Sequence, residues 1–298
     1  MSTTSGGIDL HAHTTASDGT FSPTELVNLA ADIGLSALAV TDHDTIAGLA
    51  EALDAARVSG IELIPGVELS IDDEAGRYHL LGYGINPHDS VLLTTLSDVR
   101  ERRARRNKRI MQRSRELGLP ITWDDVLRHA GDGGEVVARP HFAAALIERG
   151  VVGSIAEAFD IYLATGRPLY FPKDGLGSIE AMRLLHQAGG VGVLAHPGLS
   201  KWPKPADLEA RLMDLHAEAG LDGVEVYYNK HSGEQTDAYR DVAERNGLLA
   251  TGGSDFHGDA KPDVALGDVY RGLPAPLSLL QSLHETIART RSTTGASS

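Results

Sequence analysis

Two histidines one residue apart, His11 and His13, close a short apolar run in the stretch Ile8–Gly19, and Asp18 follows on a glycine-containing loop. Alternate residues of an extended segment point the same way, so both imidazoles can reach one cation. An HxH pair alone is a weak sign of metal binding. Here, however, residues of the same chemistry recur in later apolar segments. TDHD presents His43, PGVELS presents Glu68, YHLLGY contains His79, LAHPG presents His196, and TGGSDFH presents Asp255 and His257. Any one of these histidines could be an ordinary loop residue, and the aspartates of TDHD and GSD could serve as turn or cap residues. Glu68 is harder to set aside, because an unpaired carboxylate inside an apolar strand is costly. An incidental origin would have to hold at six strand ends at once.

The segments that must position these side chains read as strands: Ile8–Leu10, Ser36–Thr41, Ile61–Leu69, Tyr78–Tyr83, Gly192–Ala195, Gly223–Tyr227 and Leu248–Thr251. Continuous apolar runs such as LSALAV and VGVLA suit parallel strands buried on both faces. Helical patterns lie between many of them. One opens at Pro23 behind an N-cap Ser22 and stops at Gly34; others span Thr45–Ser59, Ser178–Ala188 and Asp237–Asn246, each closed by a glycine. The alternation, with about seven strands, predicts an α/β chain folded as a closed or nearly closed β/α barrel of the TIM type. All carboxyl ends of parallel strands in such a barrel lie on one face, where the candidate residues would converge. Between about Asp89 and Pro172 the period changes to helix: Ser90–Leu117, Trp123–His129, Pro140–Arg149 and Ser154–Thr165. This predicts a barrel in two parts, 1–88 and 173–298, with 89–172 a helical insertion that caps the mouth. TRSTTGASS at the C-terminus, without apolar residues, reads as a frayed tail.

Composition narrows the chemistry. The 298 residues include no cysteine, which removes disulfides, thiolate nucleophiles and Cys-bound zinc or iron–sulfur clusters. Any metal must sit on nitrogen and oxygen donors. No apolar run is long enough to cross a bilayer, and the N-terminus lacks the pattern of a secretory signal, so the expected location is cytoplasmic. The formal charge of −14 argues against a general nucleic-acid coat. It leaves a phosphate substrate open, since carboxylates that hold divalent cations face a positive site.

DLHAHTTASDG, TDHDT, PGVELS, HLLGY, AHPG and GSDFH occur in an order that resembles the PHP (polymerase and histidinol phosphatase) family of metal-dependent phosphoesterases. The likeness covers nearly the whole chain and is nearest to stand-alone bacterial members acting on small nucleotides. It implies a distorted seven-stranded barrel holding two or three divalent cations, with Mn²⁺ favoured over Fe²⁺ or Zn²⁺. Carried over, His11, His13, Glu68 and Asp255 would hold one cation. Glu68 would bridge to a second, completed by His79 and His196. Asp18, His43 and His257 would hold the third; many relatives carry His where Asp18 stands. Glu68 and Asp255 are thereby the catalytic carboxylates.

Such a centre suits phosphoryl transfer. Water bridging two divalent ions loses a proton near neutral pH, and the same ions neutralise charge on the phosphate. The resemblance further supports Arg139 (ARPHFA) and Lys173 (YFPKDG) as phosphate contacts. His231, after the sixth strand, is a third candidate, as a contact or as proton donor to the leaving group; His141 reads as a cap of the following helix. Arg100–Arg115 carries nine Lys or Arg in sixteen residues. Nucleic-acid binding would suit a nuclease that follows an RNA backbone, but without aromatic residues for stacking the run reads foremost as the solvated face of a helix anchored by Leu92, Leu96, Val99, Ile110 and Leu117. The expected activity is hydrolysis of a phosphomonoester on a small nucleotide, foremost the 3′-phosphate of a 3′,5′-bisphosphate. The alternatives are 5′→3′ trimming of short RNA, hydrolysis of histidinol phosphate, or a non-catalytic binding module. No obligate protein partner and no membrane are expected.

Overall fold

The computed structural model describes residues 6–74, 76–130, 137–172, 175–200, 202 and 204–294. Residues 1–96 and 175–298 make one compact unit, and 97–174 a second.

The first unit begins with β1 (Ile8–Ala12), α1 (Pro23–Asp32), β2 (Ala37–Val40), α2 (Leu49–Ser59), β3 (Glu62–Asp73) and β4 (Gly76–Tyr83). Helix α1 starts where its sequence directs. Ser22 accepts from the Glu25 amide, Glu25 answers through the Ser22 amide, and Pro23 fills a position needing no N–H. Helix α2 starts four residues later than expected, behind Gly48. The preceding Asp44 adopts φ 52 and accepts from the Ser70 amide, which uses Thr45–Gly48 as a connection. The long strand β3 turns directly into β4, its antiparallel partner from Gly66↔Tyr83 to Asp73↔Gly76.

Helix α3 (Ser90–Glu116) leads into the second unit, which holds α4 (Trp123–Arg128), α5 (Arg139–Glu148) and α6 (Ile155–Ala158), the last continued by a π-helical turn at Phe159–Leu163. Leu92, Leu96, Val99 and Ile110 are buried along α3 as expected, but Leu117 lies past the helix end and is exposed. This unit has its own core of Ile110, Val126, Phe142, Leu146, Leu163 and Leu169, among others.

The chain then supplies α7 (Ser178–Gln187), β5 (Val191–Leu194), α8 (Pro205–Ala219), β6 (Gly223–Tyr228), α9 (Gly233–Asn246), β7 (Leu249–Gly253) and α10 (Ser278–Thr294). Helix α9 begins four residues before the expected Asp237, because Ser232 and Gln235 form a capping box. Thr290–Thr294 of the expected tail are helical, and Arg291 of α10 donates to the carbonyls of Gly189 and Gly84. The rest of that tail, 295–298, lies outside the described residues.

The seven strands pair in sequence order. β1 also meets the segment just after β7 through a parallel bridge from Ala12 to Phe256, which nearly closes the barrel. Six strands run parallel; β4 is antiparallel to both neighbours, which corrects the all-parallel expectation. α10 seals the amino end of the barrel, packing Leu280, Leu283 and Ile287 against Tyr83, Val191 and Leu249. No helix among the described residues is long and apolar enough to cross a membrane.

Candidate metal centre

At the opposite end of this barrel lie all nine residues proposed as ligands. His11 and His13 come from the end of β1, His43 from the loop after β2, Glu68 from within β3 and His196 from the loop after β5. Asp255 and His257 follow β7. His79 is not at a carboxyl end. It sits in the first half of β4, and because β4 runs backwards that half reaches the same rim.

Glu68 is the hub. Its Oε1 lies 2.8 Å from His79 Nδ1 and 3.0 Å from His196 Nε2. Its Oε2 lies 3.4, 3.3 and 3.0 Å from His11 Nε2, His13 Nε2 and His43 Nδ1. Asp255 Oδ1 stands 3.6 and 3.3 Å from the same His11 and His13 nitrogens. On the far side of His13, Asp18 lies 3.7 Å from His13 Nδ1, 3.7 Å from His43 Nε2 and 3.3 Å from His257 Nε2. Donors about 2.1 Å from a shared cation stand roughly 3.0–3.4 Å apart, and the separations here, from 2.8 to 3.7 Å, bracket that range.

The donor atoms also lack other employment. His11 Nε2, both ring nitrogens of His13, His43 Nδ1 and Glu68 Oε2 are buried without a hydrogen-bond partner. Orphaned polar atoms at this depth are costly, and a coordinated cation would satisfy them together. Among the described residues, three groups of three or four meet the spacing needed for an ion: His11–His13–Glu68–Asp255, His13–Asp18–His43–His257 and His43–Glu68–His79. His196, at 3.4 Å from His79, extends the last. His13 and His43 thus each face two groups, a sharing that sequence order did not suggest.

Electrostatics follow from crowding acids and imidazoles in a buried space. Burial alone would raise the Glu68 carboxyl, but His43, His79 and His11 outweigh it and hold it well below its ordinary range. Asp255 is likewise lowered against burial by His11 and His13. Burial pushes His79 down to about 4, which keeps it in the neutral form that binds metal.

Four acids and a phenol unread at the level of sequence position these donors. Glu225 on β6 is buried; its Oε1 accepts from His11 Nδ1 at 3.0 Å and its Oε2 from the His196 amide at 2.6 Å. The sixth strand therefore serves the centre without being proposed to supply a ligand. Asp9 accepts from Ser254 and from the Gly267 amide, and Asp42 from Thr14 and Ser17, fixing the loops that carry Asp255 and Asp18. Asp44 braces β3 through the Ser70 amide, as described above. Tyr228 donates to Asp255 Oδ2, which Lys261 also approaches at 2.6 Å. The register of β1 slips between Asp9 and Ala12, and that of β6 between Glu225 and Tyr227, so both irregularities fall at site-bearing residues. Gly253 is required at the β1–β7 seam, where an added Cβ would stand 2.1 Å from His11 Cβ.

His231 is not available for the chemistry suggested for it. Its Nδ1 donates to the Val226 carbonyl at 2.9 Å while its Nε2 accepts from the Gly198 amide at 3.1 Å, so the ring is a brace between two loops. Arg139 opens α5 in the second unit, donates to the Leu163 carbonyl and packs over Phe159 and Tyr170. His141 accepts from the Ala138 amide and caps that helix. Lys173 lies outside the described residues.

Fold and site together define a metal-dependent hydrolase of the barrel type. Residues 9–120 match the PHP domain. Over 259 residues the chain is 36% identical to the 3′,5′-nucleoside bisphosphate phosphatase of Chromobacterium violaceum, covering 86% of this chain and 90% of that one. It is 37% identical over 255 residues to the 5′-3′ exoribonuclease Rnm of Salmonella typhimurium, covering 84% of each. A solved structure from Bifidobacterium adolescentis, described as a metal-dependent phosphoesterase, superposes with a TM-score of 0.78 at 35% identity, covering 94% of this chain and 96% of that one. The chain belongs to the PHP family of metal-dependent phosphoesterases.

Proposed function

We propose that the protein removes a phosphomonoester from a small nucleotide, foremost the 3′-phosphate of a 3′,5′-bisphosphate. The observation that carries this reading is the Glu68 carboxylate, whose two oxygens face two different sets of imidazoles. When bound, divalent cations at these sets supply Lewis-acid polarisation of the phosphoryl group and acidify the attacking water. His11, His13, Glu68 and Asp255 would hold one; Glu68, His79 and His196 a second; Asp18, His43 and His257 a third. Nitrogen and oxygen donors suit Mn²⁺, which we favour, and also Fe²⁺ or Zn²⁺.

The chain's own part is placement. Glu68 keeps the two sets at a fixed separation, and Asp255 is aimed by Tyr228 and Lys261 so that Oδ1 faces His11 and His13. Burial and Asp255 hold the Tyr228 hydroxyl well above its ordinary range, so it keeps its proton and remains a donor to that carboxylate. The bisphosphate is put first because the Chromobacterium violaceum relative is named for it. Arg139 is retained as a phosphate contact on the family resemblance.

A second reading, 5′→3′ trimming of short RNA at the same centre, is favoured by the basic run of α3 and by the name of the Salmonella relative. One screen separates the two: phosphate and nucleotide release by Mn²⁺-loaded protein from nucleotide 3′,5′-bisphosphates, short RNA and histidinol phosphate. Orthophosphate released fastest from the bisphosphate is the expected result. Mononucleotides released from RNA, with the bisphosphate untouched, would replace the first reading by the second.

A further inference from the structure

The second unit holds a groove of about 320 Å³, lined by Arg109, Gln112, Arg113, Glu116, Pro168 and Phe171. One wall is helix α3 and the other the 168–171 segment. Buried Arg106, Asn107, Ile110, Met111 and Ser114 mark the inward side of α3, and Asn107 ties it to the Val137 carbonyl at 2.7 Å. At 100° per residue, Arg102, Arg105, Arg109 and Arg113 fall on a neighbouring stripe, and each four-residue step advances about 6 Å along the helix. The segment Arg100–Arg115 sets nine basic residues against one Glu in a chain of net charge −14. So strong a local reversal of sign focuses a polyanion onto one helix face.

Charge alone would fit any polyanion. The second observation is aromatic. Read along the sequence, this helix has no ring for a base to stack on. The fold supplies one: the Arg109 guanidinium lies over the Phe171 ring at 4.5 Å from its centroid, and both line the groove. Phe171 is only partly buried against the unit's core, which leaves part of its ring surface outside it. Glu116 closes one end; it pairs with Arg113 at 2.9 Å and accepts from Gln112 at 3.1 Å, holding both side chains at the wall. A row of guanidinium groups beside a partly open ring is the pattern by which proteins track unpaired strands without reading sequence.

We infer that this groove binds single-stranded nucleic acid, its phosphates along the arginine stripe and a base against Phe171 and Arg109. The inference bears on the short-RNA reading above, which draws on the same helix; its test measures binding rather than turnover, so the two can fail separately.

The test is fluorescence anisotropy of the metal-loaded full chain with a short single-stranded oligoribonucleotide blocked at its 5′ end by fluorescein, titrated over a range of salt. The parent binds, and its log K falls linearly with log salt. R109Q/R113Q weakens binding about tenfold or more and makes the slope shallower by about 1.4, or 0.7 for each lost phosphate contact. F171L keeps an apolar residue in the core contact; it weakens binding about fivefold or more with little change in slope. Circular dichroism melts check the fold, and should R109Q/R113Q melt early, R102Q/R105Q on the exposed stripe carries the charge test. Equal affinity in parent and variants overturns the inference. So does unchanged binding by F171L with duplex RNA or heparin bound as tightly as the single strand, which would make the face a general polyanion surface.

Discussion

The Glu225 carboxylate stands 3.0 Å from His11 Nδ1, on the side of the ring away from Glu68. A carboxylate there favours a proton on Nδ1 and turns Nε2, which has no hydrogen-bond partner, toward Glu68 and Asp255. Through its other oxygen it holds the amide of His196, whose backbone takes the uncommon φ of 28.

E225A should therefore weaken metal binding about 10- to 100-fold, the usual effect of removing an outer partner of a ligating histidine. E225Q keeps an oxygen acceptor and should lose less. Calorimetric titration of Mn²⁺ into the metal-free protein measures both; equal affinity in E225A and the parent would remove the positioning role.

Substitution at the hub should be more severe. E68Q removes the charge and replaces one of the two oxygens facing the donor sets by an NH2 that cannot ligate, so phosphate release should fall by more than the roughly 100-fold of an outer-partner change. Metal content by mass spectrometry should fall with it while far-UV circular dichroism stays at the parent level. Full turnover in E68Q would refute the role of Glu68 at the centre.

Chelation should lower stability as well as activity, because the orphaned imidazole and carboxylate atoms are brought together only in the folded barrel. A cation at 100 times its dissociation constant stabilises by about 2.7 kcal/mol. Calorimetric melts with EDTA, and then with Mn²⁺ restored, should show the first unit melting earlier and recovering. An unchanged melting temperature would mean that these donors are not coupled to a metal.

The second unit has a pH dependence of its own. Asp125 accepts two bonds from Arg149, at 2.8 and 2.6 Å, with Arg128 and the Thr122 amide adding others. Arg149 foremost lowers its carboxyl well below the ordinary range. A depressed folded pKa gives stability that is fully present above the unfolded value near 4 and is lost as pH falls through the folded one. Melts of the full chain between neutral pH and strongly acidic pH should show this unit losing stability in that acid window. D125N should start lower and flatten the slope there; an identical slope in D125N would assign the acid sensitivity elsewhere.

Much of this centre was legible because chemistry-bearing residues stand at the ends of apolar runs, and a barrel rim leaves them one place to meet. The strand direction at His79 was not legible. YHLLGY has the same alternation whichever way it runs, and only the tight Asp73–Gly76 connection makes β4 antiparallel. Glu225 could have been found by the reasoning applied to Glu68, since GVEVYY also sets one acid inside an apolar strand; Asp9 in IDLHA is a parallel case. His231 misled because a histidine after a strand looks the same whether its nitrogens are open or, as here, both bonded. Helices α8 and α10 were not anticipated, because their apolar residues are diluted by charge and pack on surfaces that only the finished barrel offers. Phe171 lies some sixty residues from the arginines it joins, a distance no local pattern spans.

The seam between β1 and β7 has a consequence for biogenesis. The Asp255 amide reaches the His11 carbonyl at 2.8 Å, and the His13 amide the Phe256 carbonyl at 2.9 Å. During translation His11 must wait for nearly the whole chain before its neighbours exist, so a nascent fragment has only part of a chelating set. With metal held by the proposed set, loading would be a late event that reports a correctly joined molecule, and products truncated before Asp255 would lack a competent centre.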